Sequence, residues 1–266
     1  MPFQQTTFGD LPLLTAEGIT TAHGFTTRLG GVSQGHLSAL NLGSHRGDCA
    51  ENVQKNYELL ANSLGFELNK LVLTWQIHSD IVRQVTAADS CGIDHRNYPQ
   101  CDALITNDPG TALLVFTADC TPILLEDPVT GAVGAIHAGW RGTAADIAGK
   151  TVEAMVNAFG CRPENIRAAI GPNIGACCFE THKDVPDAMI ALLGDRAQAY
   201  IHPQGEKYHI DLKAINAQLL RDRGVTQIDV AEHCTACRPD LFWSHRMVGD
   251  QRGSQGAIIV CKEVSA

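Results

Sequence analysis

Three apolar runs in this sequence end in a side chain that binds metals or acts as a nucleophile, namely His78, Cys120 and His137. Glycines follow the last of these residues, a pattern typical of a strand ending in the sharp turn where α/β folds place their chemistry. Zinc prefers imidazole nitrogen and thiolate sulfur, and its catalytic sites use three protein ligands and one water. The sequence therefore predicts a zinc site whose bound water has a pKa lowered to roughly 7.

The same side chains are compatible with two other interpretations. Cys120 would serve as the nucleophile of a cysteine hydrolase if His78 or His137 acted as its base and Asp119 oriented that base. One thiolate cannot bind zinc and attack a substrate at the same time, so the two chemistries exclude each other. Buried cysteine and histidine also occur as purely structural residues, and sequence alone does not show that these three side chains converge.

Several arginines lie in stretches flanked by glycine or serine, among them Arg28, Arg141 and Arg246. The planar guanidinium group suits phosphate and carboxylate, so an anionic substrate is expected. Arg28 precedes paired glycines in a loop that lacks the Gly-Lys-Ser/Thr ending of a Walker motif. We predict that Arg28, Asn41 and Arg246 bind substrate or phosphate. Ordinary surface ion pairs are the alternative for each arginine.

A second group of thiols is less easily interpreted. Cys234 and Cys237 form an isolated C-x-x-C pair, whereas Cys177 and Cys178 are adjacent in the chain. A structural zinc site usually draws on two spaced pairs, and adjacent thiols do not have that spacing. Reduced structural thiols are therefore expected at all four positions, with redox or secondary metal roles as alternatives.

Composition limits the classes of function. The chain has 266 residues, a net charge of −9 and 44% hydrophobic residues, which argues against a general nucleic-acid or anionic-membrane surface. No apolar run approaches the roughly 18 residues of a membrane helix, and the N-terminus lacks a signal-peptide pattern. We expect a cytoplasmic protein whose ten cysteines are mostly reduced, present as a monomer or a homodimer.

Hydrophobic periodicity predicts an α+β fold in one layered domain over residues 1–266. Predicted helices cover 50–64, 143–159, 185–193 and 211–220. Predicted strands begin at 23 and cover 71–78, 102–106, 112–120, 122–125, 133–137, 166–170, 228–231 and 257–261, while 80–85 is extended and 1–22 is an edge strand or tail. The strands between 112 and 137 are expected to be antiparallel neighbours.

The order of several motifs resembles the YfiH/laccase-domain family over residues 23–261. The most specific strings are Thr-Ala-Asp-Cys at 117–120 and His-Ala-Gly-Trp-Arg-Gly at 137–142. Gly-Phe-Thr-Thr-Arg-Leu-Gly-Gly at 24–31, Gln-Ile-His at 76–78, Asp-Ala-Leu-Ile-Thr at 102–106 and Phe-Trp-Ser-His-Arg at 242–246 support them. The family was once called multicopper polyphenol oxidases and is now described as purine nucleoside phosphorylases.

The resemblance implies a YfiH-like α/β sandwich with mixed sheets, related to cysteine hydrolases. It implies one zinc per chain on His78, Cys120 and His137, and phosphorolysis of adenosine, inosine and methylthioadenosine together with adenosine deamination. The partners would be a purine nucleoside and phosphate, with no nucleic acid or membrane. We assign catalytic roles to Asp119, Cys120 and Arg141 on this basis.

Two other functions remain open, an amidase that edits UDP-muramoyl-amino acid precursors of peptidoglycan and a non-catalytic zinc-binding protein. Copper is not expected, because a multicopper oxidase needs many histidines in paired motifs and the eleven here are mostly isolated. The chain departs from the family pattern at Ser79, where glycine is usual, and over 247–255. Those departures affect the expected substrate preference.

Overall fold

The computed structural model describes residues 3–9 and 11–262, which form two six-stranded sheets, one three-stranded sheet and six α-helices. The strands are β1 (Phe3–Phe8), β2 (Leu11–Ala16), β3 (His23–Thr26), β4 (Leu71–Leu73), β5 (Val82–Gln84), β6 (Ala103–Thr106), β7 (Ala112–Thr117), β8 (Thr121–Glu126), β9 (Val133–Ala138), β10 (Arg167–Ile170), β11 (Glu180–Thr181), β12 (Ile201–Gln204), β13 (Lys207–Ile210), β14 (Gln227–Val230) and β15 (Gln255–Val260). The helices are α1 (Ala50–Leu64), α2 (Trp140–Ala144), α3 (Ile147–Phe159), α4 (Asp184–Leu193), α5 (Leu212–Asp222) and α6 (His245–Val248).

Both large sheets are mixed. The first has the order β1-β2-β3-β15-β7-β4 and the second β14-β10-β8-β9-β6-β5, while β11, β13 and β12 form the small sheet. Three neighbouring pairs are parallel (β4 with β7, β5 with β6, β10 with β14) and the others are antiparallel. The structure thus confirms the mixed α/β architecture. The relation to cysteine hydrolases and the single domain remain predictions.

The second sheet is buried on both faces, and successive side chains point to opposite sides. Leu104 and Leu124 belong to the core shared with the first sheet. Their neighbours Ile105, Ile123 and Leu125 belong to the core formed with the helices, where α3 and α5 supply most of the cover. This burial explains why β6, β8 and β9 are mostly apolar.

The chain crosses from one sheet to the other at the centre of the site. Strand β7 lies in the first sheet and β8 in the second, and only residues 118–120 separate them. The prediction that the strands between 112 and 137 are all antiparallel neighbours is therefore wrong for β7 and β8, although β8 and β9 do pair in that way. Cys120 lies at the crossing itself.

The predicted strand at 71–78 is correct only for its first three residues. The side chain of Gln76 accepts a hydrogen bond from the Phe116 backbone N–H at 2.7 Å and donates to the Phe116 carbonyl at 2.8 Å. This amide takes the place of a backbone partner for β7, so the main chain can leave the sheet after Leu73. His78 consequently lies in a loop.

One further prediction needs correction. The single helix predicted over 143–159 is broken into α2 and α3, because Asp146 adopts a left-handed backbone (φ 59°) and its carboxylate accepts from the Gly149 N–H as an N-cap. Of the two alternatives given for residues 1–22, the edge strand is confirmed, because Phe3–Phe8 and Leu11–Ala16 pair as the antiparallel hairpin of β1 and β2 and β1 lies at the edge of the first sheet. The alternation of Leu11 and Leu13 was a signal for that hairpin.

Other elements agree with the sequence. Helix α1 has the predicted bounds and ends at Gly65, whose φ of 72° is the left-handed conformation favoured by glycine. Helix α5 begins after Asp211, which accepts a hydrogen bond from the Ala214 N–H as predicted for an N-cap. Within the described residues, the structure contains no helix that combines the length and the apolar character needed to cross a membrane.

Candidate functional site

The structure brings His78, Cys120 and His137 together. Their ligand atoms lie within 4.8 Å of one another, and the Cys120 Sγ is 3.8 Å from the His78 Nε2. The two imidazole rings meet edge to face with centroids 4.9 Å apart. His137 is buried, Cys120 is half-buried and His78 is exposed, so the group opens to solvent on one side. Residues from three separate segments of the chain thus form one compact donor set.

Asp102, directly before β6, fixes two members of this set. Its fully buried carboxylate accepts from the His137 Nδ1 at 2.8 Å and from the His78 backbone N–H at 3.0 Å. It also accepts from the backbone N–H groups of Ile77 and Ser79 and from the Ser79 hydroxyl. Because the Nδ1 of His137 is engaged, its Nε2 is the nitrogen left for a ligand role.

Two of the site residues have a strained backbone. His78 and Asp119 have φ values of 61° and 92°, and they are two of the three non-glycine residues with positive φ among those described. Such conformations cost on the order of 1–3 kcal/mol and persist where the surroundings hold them. The Asp102 carboxylate holds the loop at His78, and Asp119 turns the chain from β7 into β8. Strain in both places is consistent with a functional site.

Electrostatics couple the buried members of the group. Burial alone would raise the pKa of the Cys120 thiol, but the adjacent His137 and the hydrogen bond from His78 lower the pKa to about 6. Burial would lower the pKa of His137, yet Cys120 and Asp102 raise the pKa to about 9. The pKa of Asp102 is about 2, because the hydrogen bonds from His137 and Ser79 outweigh its burial. These neighbours favour the thiolate of Cys120, which is the form that binds a metal.

The donor set lies in a cavity of about 530 Å³ whose charged lining is almost entirely basic. Asp119 is the one carboxylate in the lining. The basic residues are four arginines and five histidines, namely Arg46, Arg96, Arg246, Arg252, His45, His78, His95, His137 and His245. The whole chain has a net charge of −9, so this local excess of cations does not follow from composition. A cavity of this kind attracts anions.

Flat aromatic groups form another part of the wall. Trp75, Phe116 and Phe179 line the cavity, and the His95 ring lies 4.9 Å from the Phe116 ring. Trp75 is 37% exposed, which is unusual for so large an apolar side chain. Aromatic faces of this kind stack on heterocyclic bases, and the contact contributes about 1–3 kcal/mol per base.

Asp119 joins three segments of the cavity wall. One carboxylate oxygen accepts from the Thr235 hydroxyl at 2.6 Å and the other from the Arg246 backbone N–H at 2.7 Å. The Arg246 guanidinium donates to the carbonyls of Cys178 and Glu180. Both Asp119 and Arg246 line the cavity, and the catalytic role of Asp119 and the binding role of Arg246 stay predictions. Their roles remain to be tested.

Three of the predicted site residues do not line the cavity. The Arg28 guanidinium lies 3.9 Å from the centre of the Trp243 ring and donates to two backbone carbonyls. Asn41 is fully buried, and its amide nitrogen donates to the Asp48 carboxylate. Arg141 is exposed on α2, over the ring of its neighbour Trp140. Each of these side chains has another partner in the structure, and the substrate roles of Arg28 and Asn41 and the catalytic role of Arg141 stay predictions from the sequence.

Sequence reasoning missed Asp102 and most of the basic lining. Asp102 belongs to a motif that pointed to the family, and a carboxylate directly before a buried strand is a usable signal for a site residue. Arg46 follows His45 in a loop, and both residues line the cavity. Arg252 lies in the segment 247–255, which departs from the family pattern, and burial lowers its pKa to about 10. Only the folded structure shows that these segments converge on one cavity.

The four remaining candidate thiols also meet. Cys177, Cys178, Cys234 and Cys237 have sulfur atoms within 4.8 Å of one another. The spacing argument against a common site is therefore wrong. Strands β10 and β14 are parallel neighbours, with Ile170 opposite Val230, so the loops that follow them leave the sheet side by side.

Comparison with known proteins agrees with this fold. The chain is 40% identical to a purine nucleoside phosphorylase of Deinococcus radiodurans over 94% of this chain and 92% of the relative. It is 36% identical to the purine nucleoside phosphorylase YlmD of Bacillus subtilis, over 90% and 88% of the two chains. The crystal structure of YlmD from Geobacillus stearothermophilus superposes with a TM-score of 0.92 at 35% identity, covering 98% of this chain and 99% of the other.

The match to the family model is nearly complete. Residues 22–262 match the model described as multi-copper polyphenol oxidoreductase laccase. This range contains the His78, Cys120 and His137 group, Asp102 and all the arginines of the cavity. The chain belongs to this family, the YfiH/laccase-like family to which its sequence motifs pointed.

Proposed function

We propose that this protein is a zinc-dependent purine nucleoside phosphorylase. The observation that carries the proposal is the pairing of a His-Cys-His donor set with a cavity lined by four arginines and aromatic side chains. A phosphorylase needs both an anion site for phosphate and a flat apolar surface for the base. The names of the relatives support the same activity.

The chemistry of the donor set fits a zinc ion. Two imidazoles and one thiolate are ligands that zinc accepts in catalytic sites, and the partly exposed His78 leaves one side open. His78, Cys120 and His137 would hold the ion, and Asp102 would keep His137 in the required tautomer. When bound, zinc would supply Lewis-acid polarisation of a substrate or solvent oxygen. The same donor set argues against a multicopper centre.

The basic residues of the cavity would bind and orient the phosphate. Arg46 and Arg252 line it together, and burial of Arg252 strengthens its attraction for an anion. In the reaction, a phosphate oxygen forms a bond to C1′ of the ribose while the bond from C1′ to the purine nitrogen breaks. The bonding electrons leave with the base, which then takes up a proton.

Asp119 is our candidate for proton movement at the departing base. It is the one carboxylate in the lining of the described cavity, and its two hydrogen bonds fix its orientation. Trp75 and Phe116 would stack on the purine and exclude water from it. Adenosine deamination is the second activity we assign to this site, because the His and Cys ligands resemble those of zinc deaminases.

The test is incubation of zinc-loaded protein with inosine and phosphate, followed by chromatography and mass spectrometry. We expect hypoxanthine and ribose 1-phosphate in equal amounts, and ammonia when adenosine is the substrate. Arg252→Met should raise the KM for phosphate, whereas Arg162→Met, which removes an exposed arginine paired with Glu164, should not. Absence of hypoxanthine would reject the phosphorylase assignment.

A parallel assay distinguishes the amidase. A UDP-muramoyl-amino acid precursor takes the place of inosine, and release of the free amino acid is measured. Turnover of this precursor without phosphorolysis would move the function to peptidoglycan editing. Tight zinc binding without turnover of either substrate would indicate a non-catalytic zinc protein.

A further inference from the structure

A group of four cysteines lies beside the cavity but belongs to neither the donor set nor the proposed reaction. The sulfur of Cys237 lies 3.6 Å from that of Cys177 and 3.4 Å from that of Cys178, and all four sulfur atoms, with Cys234, lie within 4.8 Å of one another. These separations exceed the roughly 2.05 Å of a disulfide. Four sulfurs around one ion at about 2.3 Å, in a tetrahedron, would be about 3.8 Å apart.

The backbone around the group is shaped to receive these sulfurs. The Gly175 N–H donates to the Cys234 Sγ at 3.2 Å. A Cβ added at Gly175 would lie only 3.3 Å from both the Cys177 sulfur and the Cys234 Cβ, so glycine leaves the room that the sulfurs need. Asn173 and Cys234 pair through an isolated parallel bridge that holds the two loops in register.

Positive charge is available to offset four thiolates and one divalent ion. Lys213 is buried beneath the loop and donates to the carbonyls of Ala231 and His233. On the other side, the Arg246 guanidinium donates to the Cys178 carbonyl at 2.9 Å. Cys177 and Cys237 are exposed, which gives an ion a route of entry from solvent.

We propose that Cys177, Cys178, Cys234 and Cys237 bind one zinc ion with a structural role. Four sulfur ligands select soft or borderline metals, and a closed set of four protein ligands is typical of structural rather than catalytic zinc. Binding releases the thiol protons to solvent and requires no oxidant or reductant.

Such an ion would stabilise one wall of the cavity. It would join the loop after β10 to the loop after β14. The first loop donates from Ile174 N to the Asp119 carbonyl, and the second donates from the Thr235 hydroxyl to the Asp119 carboxylate. Zinc at the four cysteines would therefore hold Asp119 in position without contacting substrate.

The first test uses the wild-type protein loaded with zinc and labelled with N-ethylmaleimide, and peptide mass mapping reports each cysteine. Cys177 and Cys237 are exposed, as are Cys49 and Cys91, which serve as internal controls. We expect labelling of Cys177 and Cys237 to be on the order of tenfold slower than that of the controls, because coordination removes the free thiolate. A chelator should abolish this protection.

The second test counts zinc by mass spectrometry under native conditions. The double variant Cys177→Ser/Cys237→Ser should lose one zinc relative to wild type, whereas Cys49→Ser/Cys91→Ser should lose none. His78→Ala/His137→Ala should retain the zinc of the four cysteines, so failure of the proposed catalytic site would not affect this result. Equal zinc in wild type and the first variant would overturn the proposal. So would labelling of Cys177 and Cys237 at the control rate.

Discussion

Asp102→Asn is the substitution that tests the proposed architecture most sharply. The carboxylate accepts five hydrogen bonds, two on Oδ1 from His78 N and His137 Nδ1 and three on Oδ2 from Ile77 N, Ser79 N and Ser79 Oγ. Asparagine keeps the shape but replaces one oxygen by a nitrogen that cannot accept. In either orientation, some N–H groups must then face another donor.

The expected loss can be worked out from these contacts. If the amide nitrogen replaces Oδ2, the Ser79 hydroxyl can rotate, but two backbone N–H groups lose their acceptor. If it replaces Oδ1, the His78 N–H loses its acceptor, and His137 must become an acceptor at Nδ1 and carry its proton on Nε2. Two charge-assisted bonds at about 1.5–3 kcal/mol each predict a loss of about 3–6 kcal/mol in unfolding free energy.

The effect on zinc has a separate cause. A proton on the Nε2 of His137 removes the lone pair that would bind the ion, so we expect zinc affinity to fall about 10–100-fold. The assays are denaturant unfolding and competition with a fluorescent zinc chelator, performed on a variant that also lacks Cys177 and Cys237. Asp127→Asn is the matched control, because Asp127 is equally buried and its Oδ1 alone accepts from Val129 N and Thr130 N. Unchanged zinc affinity together with unchanged stability in folded Asp102→Asn would refute the role given to Asp102, because each orientation of the amide predicts the loss of at least one of the two.

Two other predictions concern the site and its scaffold. Gly139→Ala should weaken zinc binding, because the added Cβ would lie 2.7 Å from the His78 ring. Gly134→Ala is the control, because its Cβ would make only an ordinary contact at 3.4 Å, and it should leave the zinc affinity unchanged. Competition with a zinc chelator measures both affinities. Burial lowers the pKa of His23, so below about pH 6.5 the unfolded chain binds a proton that the folded chain does not, and stability falls by up to about 1.4 kcal/mol per pH unit. Denaturant unfolding between pH 5 and 7.5 should show that the unfolding free energy of His23→Gln falls less steeply with decreasing pH than that of wild type. The exposed His36→Gln should follow the wild-type pH dependence. Equal slopes of unfolding free energy against pH for all three proteins would contradict this.

Much of the fold could be predicted because local signals and tertiary structure agree in most elements. Helix α1 has an apolar stripe and a glycine stop, and α5 has an aspartate N-cap, so both were predicted closely. Where a side chain takes the place of backbone pairing, the hydrophobic pattern predicted the wrong bounds for the element. Gln76 pairs with β7 and releases the chain at Leu73, and Asp146 ends one helix and begins the next.

The donor set could be predicted, whereas its environment could not. His78, Cys120 and His137 each follow an apolar run, which is a local signal. The arginines of the cavity come from loops far apart in the chain, and nothing in their spacing shows that Arg46 and Arg252 share a wall. Arg28 and Arg141 have the same glycine-flanked pattern but lie over tryptophan rings. The cysteine group was missed because parallel pairing of β10 and β14 brings the two pairs together.

The most direct measurement of the central claim is an anomalous-scattering map at the zinc edge from crystals of zinc-loaded protein. The account predicts a peak about 2.0–2.3 Å from the Nε2 of His78, the Sγ of Cys120 and the Nε2 of His137. The peak should disappear in Cys120→Ala, whereas the peak at the four-cysteine group should remain. A map without zinc between these three side chains would contradict the proposed site and the reaction assigned to it.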